Sequence, residues 1–147
     1  MPTFKEDKIA DLSRIIENQR KFFSKSDDEL FARKPSPEKW SKKEILGHMC
    51  DSCFNNLQRI IRVQYEDRPF IMYNQDEWVK IQDYQNRSAK DVIDIWVCLH
   101  LQFIHVLKTF PKNHLESIID VGQEVTTRFV IMDYLDHQNH HLRQIFG

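Results

Sequence analysis

Proline spacing sets the frame. Pro2, Pro35, Pro37, Pro69 and Pro111 leave four long proline-free stretches, after Pro2, Pro37, Pro69 and Pro111. Proline removes a helical hydrogen bond and clashes with the preceding turn, so these gaps are where long helices can lie. Each carries apolar residues at three- and four-residue spacing, with charges between them. Glycine adds a second constraint. The chain has 3 Gly among 147 residues, against a typical ~7%. So few argue against a Rossmann crossover, a phosphate loop or a turn-rich β-sandwich, and no Gly-rich nucleotide motif is present.

The first stretch predicts a helix from about Thr3 to Ser24. It opens on the capping-box form Thr3-Phe4-Lys5-Glu6 and carries Ile9, Leu12, Ile15, Ile16, Phe22 and Phe23. Ser26-Asp27-Asp28-Glu29 can cap a short turn through Leu30 and Phe31, and Lys34-Pro35-Ser36-Pro37 reads as a loop. A second helix starts at the capping box Ser41-Lys42-Lys43-Glu44, behind Trp40. Its stripe is Ile45, Leu46, Met49, Cys53, Leu57, Ile60, Ile61 and Tyr65, and its expected end is near Glu66–Pro69. Residues 70–87 are less regular, with a short helix expected over Gln75–Ile81. A connection this long is usually functional or carries its own structure. Ser88-Ala89-Lys90-Asp91 starts a third long helix, which Pro111 stops. A loop with Gly122 leads to a fourth, from about Thr126 to Phe146. No period-two pattern lasts long enough for a convincing strand. The expectation is one all-α domain over 1–147, a four-helix bundle not bound to up-down-up-down order.

Charge excludes several classes. Lys+Arg number 21 and Asp+Glu 22, which argues against a dominant nucleic-acid or anionic-membrane surface. The N-terminal segment alternates charge with apolar residues, so neither a signal peptide nor a membrane span is expected there. Three cysteines, Cys50, Cys53 and Cys98, suggest no secreted disulfide framework, and the expected compartment is the cytoplasm. A homodimer is expected on general grounds.

The C-terminal segment holds three of the 7 His in one five-residue window. His137 and His141 are four apart on a predicted helix, so they point the same way, one turn apart. Imidazoles so placed can share a metal. The bland alternative is one histidine in a core hydrogen bond and the rest solvated. His140 points toward the polar side. His48 is the best third ligand candidate, just after Gly47, although on a helical wheel it lies well off the Leu46/Cys53/Leu57 stripe. Asp133, one turn before His137, could orient a ligand imidazole; Asp51 is less well placed by spacing.

Cys50-Asp51-Ser52-Cys53 is a C-x-x-C. A redox pair usually sits where a helix begins, and a structural zinc site wants a second pair nearby. Here it lies inside a helix, so buried cysteines acting as small apolar residues are the better reading. His100, His105 and His114 read as solvated or packed, and Trp40, Trp78, Trp96 and Tyr84 as core or bundle cap. Trp78 and Tyr84 fall in the long connection, where either could line a pocket. No nucleophile motif stands out.

Trp40-Ser41-x-x-Glu44-x-Leu46-x-His48-x-x-Asp51, followed downstream by His137-x-x-His140-His141-x-x-Gln144-Ile145, resembles the DinB/YfiT-like superfamily over essentially the whole chain. The resemblance implies a four-helix bundle with a divalent metal, zinc or nickel, held at one end by His48, His137 and His141. It implies an open site of three imidazoles plus water, as expected of catalysis. Some relatives are S-transferases or isomerases that use low-molecular-weight thiols; others are candidate metal-dependent hydrolases. The leading expectation is thiol-dependent transfer on a small-molecule substrate that enters near residues 67–87. The alternatives are hydrolysis and a non-catalytic, stress-related binding bundle.

Overall fold

Capping chemistry decides where the helices begin. The computed structural model describes residues 1–23 and 27–146. Helix α1 spans Phe4–Phe23, and the Thr3/Glu6 capping box closes it at 3.2 and 2.9 Å. Ser24 and Ser26, invoked above at a helix end and a cap, lie outside the described residues. Asp27 caps the short helix α2, Asp28–Ala32, by accepting from Glu29 N and Leu30 N. The Ser41/Glu44 capping box forms at 3.1 Å in both directions and starts α3, Lys42–Arg62. Asn74 caps α4, Gln75–Gln82, and Ser88 caps α5, Ala89–Thr109. The last helix, α6, spans Thr127–Phe146.

Two boundaries correct the sequence reading. Helix α3 stops at Arg62, short of Glu66, and Tyr65 is exposed rather than part of the stripe. The Val63 N–H turns back to Arg59 O and Ile61 O, and Arg68 takes a positive φ of 49° before Pro69. The loop after α5 also contains a hairpin that periodicity did not reveal. Strand β1, Ile118–Asp120, pairs antiparallel with β2, Glu124–Thr126, around Gly122 at φ 104°. Three-residue strands are too short for a period-two signal. This hairpin is held by fully buried Ile119 and by a bridge from Phe70 to Asp120.

The bundle consists of α1, α3, α5 and α6. Helix α1 packs on α5 and α6, and α3 packs on the same two helices. Consecutive long helices α1 and α3 therefore sit across the bundle from each other, not side by side. Helix α5 is long and apolar enough to cross a membrane by length and composition. Its apolar face is spent instead on α1 and α3, through buried Val92, Trp96, Phe103 and Leu107.

Helix α3 is buried nearly all round in its first half. Every residue from Leu46 to Cys53 is buried. Two bundle neighbours cover part of this surface, and the 75–86 connection covers more. The key contact is at Gly47. A Cβ there would lie 2.1 Å from Tyr84 Cδ2, so the Tyr84 ring rests directly on the helix backbone. Its hydroxyl donates to Asp51 Oδ1 at 2.6 Å, one turn further along.

Gly47→Ala tests this contact. Alanine favours a helix interior over glycine by about 1 kcal/mol. Overpacking here costs roughly 1–3 kcal/mol, and moving Tyr84 also strains its bond to Asp51. The expected result is a lower denaturant midpoint; an equal or higher midpoint would show that the ring yields freely.

Candidate metal centre

Three imidazoles converge where the first half of α3 meets the second half of α6. His48 Nε2 lies 3.1 Å from His137 Nε2, which lies 3.0 Å from His141 Nε2. One ligand atom from each of the three falls within 4.8 Å of the others. Two neighbours of the ligand helices hold this register. Gln138, fully buried on α6, accepts from Trp96 Nε1 of α5 at 3.2 Å and donates to Met49 O of α3 at 3.5 Å. Gln138 follows His137 and Met49 follows His48, so this hydrogen-bonded crossing aligns both ligand segments.

Burial of α3 on every side resolves the wheel objection to His48. A stripe describes a helix with one wet face; this part of α3 has none, and His48 is buried beside Trp40, ring centroids 5.0 Å apart.

The donor set suits a divalent ion. Nitrogens bound to one tetrahedral ion at ~2.0–2.1 Å stand about 3.3 Å apart; the spacings of 3.1 and 3.0 Å lie within a few tenths of that. His141 Nδ1 lies 2.6 Å from Gln144 Oε1. A carbonyl oxygen only accepts, so His141 carries its proton on Nδ1 and turns a lone pair on Nε2 into the cluster. Buried Nδ1 atoms of His48 and His137 have no partner among the described residues. Burial, then the neighbouring His137 and His141, pushes His48 down to about 3. Burial, then His141 and His140, pushes His137 down to about 4. His141 is lowered by burial and by His140, opposed by Gln144. All three are neutral near pH 7, the state in which imidazole binds metal.

A cleft of about 800 Å³ opens onto the cluster. Trp40 and Ile45 give it apolar lining, and His141, Gln144 and, from α4, Gln75 and Asp76 line it as well. Asp51 lies nearby on α3, fully buried. Its Oδ1 accepts from Tyr84 and, at 3.1 Å, from Gln82 Nε2, while Oδ2 has no partner among the described residues. Burial raises its carboxyl to about 6 against the lowering effect of those two bonds.

Other sequence candidates fall elsewhere. Asp133 is exposed, and His137 Nδ1 has no hydrogen-bond partner among the described residues, so the structure shows no bond by which Asp133 would orient it. Tyr84 is buried against Gly47 and Asp51 rather than lining the cleft. Trp78 meets Tyr73 edge-on and lines a separate shallow depression with Ile81 and Gln82. His140 is exposed beside His141. Cys50 and Cys53 are core residues, with burial pushing the Cys53 thiol up to about 12 and Cys50 well above its ordinary value. His100 is packed: Nδ1 meets Trp96 O and Nε2 meets the Tyr134 hydroxyl, both at 2.7 Å. Sequence reasoning quoted Gln144 in the downstream motif without a role and missed Gln138, whose role depends on which helices meet.

Comparison with known proteins agrees with this geometry. Residues 11–145 match the sequence profile of the DinB superfamily. A protein of Halalkalibacterium halodurans, BH0277, is 27% identical over 128 residues, 80% of this chain and 71% of its own, and is named a candidate metal-dependent hydrolase. The fold is similar to that of YfiT from Bacillus subtilis, at a TM-score of 0.85 and 18% identity over 97% of this chain and 83% of that one. YfiT is described as a candidate metal-dependent hydrolase with an unusual four-helix bundle topology. A mycothiol-dependent maleylpyruvate isomerase also shares the fold, at a TM-score of 0.76 and 10% identity, with 97% of this chain covering 62% of that longer chain.

The depressed histidines predict the pH response of metal-free protein. His48 near 3, and His137 and His100 near 4, titrate near 6.5 when unfolded. Between those values the unfolded chain binds more protons, so stability falls as pH drops from 6.5 toward 4. Asp51 acts oppositely between about 6 and 3.8, but as one group against three. Thermal melts across this range should show a falling Tm; a flat profile would contradict the neutral cluster.

Proposed function

This chain belongs to the DinB superfamily, and from that premise we propose that it is a metal-dependent hydrolase acting on a small molecule. His48, His137 and His141 are the ligands in this reading. The observation that carries it is the convergence of three neutral imidazoles, one of which, His141, lines an open cleft. A divalent ion bound there would supply Lewis acidity, lowering the pKa of a water or thiol at the site.

The chain's own residues do the rest. Gln144 fixes the His141 tautomer at 2.6 Å. Trp40 shields His48 from solvent on one side and, with Ile45, offers an apolar wall to the substrate. Gln75 and Gln144 line the cleft with amides that can hold a polar substrate group. The cleft meets the cluster at His141, and hydrolysis needs no co-substrate other than water. The name carried by the relative from H. halodurans supports this reading.

Thiol transfer is the second reading. It is favoured by the shared fold of the mycothiol-dependent isomerase; an ion held by the same three histidines would then supply the Lewis acidity that activates a thiol. Three free cysteines, with Cys98 exposed, fit a reducing cytoplasm for either reaction.

Metal content of untagged protein, by elemental mass spectrometry, tests the ligand set. We expect near-stoichiometric metal in wild type and in His140→Ala, and a loss of more than about tenfold in His48→Ala, His137→Ala and His141→Ala. Wild type that cannot be loaded with zinc or nickel would leave a binding bundle. The reaction is tested by ester and amide turnover with and without added low-molecular-weight thiols. Chelation should abolish thiol-independent turnover and zinc or nickel restore it; turnover only with thiol would move the assignment to transfer.

A further inference from the structure

Two orphaned polar atoms face the same problem on α3. Among the described residues His48 Nδ1 is buried without a partner, and so is Asp51 Oδ2. The two side chains are three residues apart on one helix, where Cβ atoms lie about 5–6 Å apart. A histidine that ligates through Nε2 carries its proton on Nδ1. That makes His48 Nδ1 a buried donor, and native proteins rarely leave such a group unpaired. Asp51 Oδ2 is a buried acceptor with unused capacity. The carboxylate is not free to swing away, because Tyr84 and Gln82 hold its other oxygen at 2.6 and 3.1 Å.

We propose that Asp51 is the positioning residue of His48: its Oδ2 accepts the His48 Nδ1–H, across at most one water, when Nε2 binds the ion. A carboxylate behind a ligand imidazole fixes its tautomer and raises its basicity. The inference rests on the metal-site reading above. His141 already has its equivalent in Gln144, whereas exposed Asp133 does not serve His137. The proposal also gives the 75–86 connection a role at the metal. Tyr84 and Gln82 clamp Asp51, Asp51 orients His48, and α4 in the same segment supplies the cleft wall.

The test is zinc affinity by chelator competition, for wild type, Asp51→Asn and Tyr84→Phe. Asp51→Asn keeps an oxygen for Tyr84 but turns an amide donor toward His48. We expect it to weaken zinc binding by about 10–100-fold. Tyr84→Phe removes one of the two bonds to the other oxygen; it should lower Tm and weaken zinc binding by less than Asp51→Asn does, since Gln82 still holds the carboxylate and the acceptor for His48 remains. Equal affinity in Asp51→Asn and wild type overturns the proposal and leaves the metal site standing. Equal losses in both variants also overturn it, because the effect is then one of packing. Wild type that binds no zinc overturns both readings. Should Asp51→Asn fail to fold, histidine 15N NMR of zinc-loaded wild type decides. A His48 Nδ1–H slow to exchange with water is expected, and one that exchanges like an exposed imidazole overturns the proposal.

Discussion

A single buried amide ties three helices of this bundle together. Gln138 on α6 accepts from Trp96 on α5 and donates to the Met49 carbonyl on α3. An unpaired amide in a dry core is costly, so slipping any of these helices along another breaks a bond that water cannot replace. The neighbours of the bonded residues are the ligand candidates His137 and His48. The polar contact that sets the register of the core therefore also brings the three imidazoles together.

The same accounting separates a core histidine from the ligand candidates. His100 is as buried as any residue in the chain, and both of its ring nitrogens are satisfied, by Trp96 O and by Tyr134. It is a core residue that happens to titrate. His48 and His137 are also buried or half-buried, yet each leaves Nδ1 without a partner and turns Nε2 toward other imidazoles. Neutral, desolvated imidazoles that turn Nε2 lone pairs toward one another are poor partners for each other, and a cation would take up those lone pairs. The core a few residues away, around His100, is satisfied without any such group.

Helix starts were legible because caps are local. Thr3, Ser41 and Ser88 each bond within three residues of themselves, so sequence alone carries the information. The His137/His141 pair was legible for the same reason: helical spacing places both on one face. Readings that depended on neighbours fared worse. His48 looked misplaced because a wheel assumes a wet side, and α3 has none over Leu46–Cys53. Asp133 had suitable spacing but sits on the solvent face of α6, whereas Asp51, which spacing disfavoured, is buried and clamped. The β1–β2 hairpin was invisible because strands this short draw their stability from burial of Ile119 and pairing with Phe70.

The amino-acid order settled the all-helical class, the places where helices start, and two of the three converging histidines. Each of these follows from interactions within about one helical turn. The crossing of α3 and α6, the burial of His48, the Gly47–Tyr84 contact and the clamp on Asp51 were set at the level of the folded chain. They join residues far apart in sequence, and whether such groups meet depends on how whole helix surfaces pack. Packing of that kind is a property of all the side chains at once, not of any local pattern.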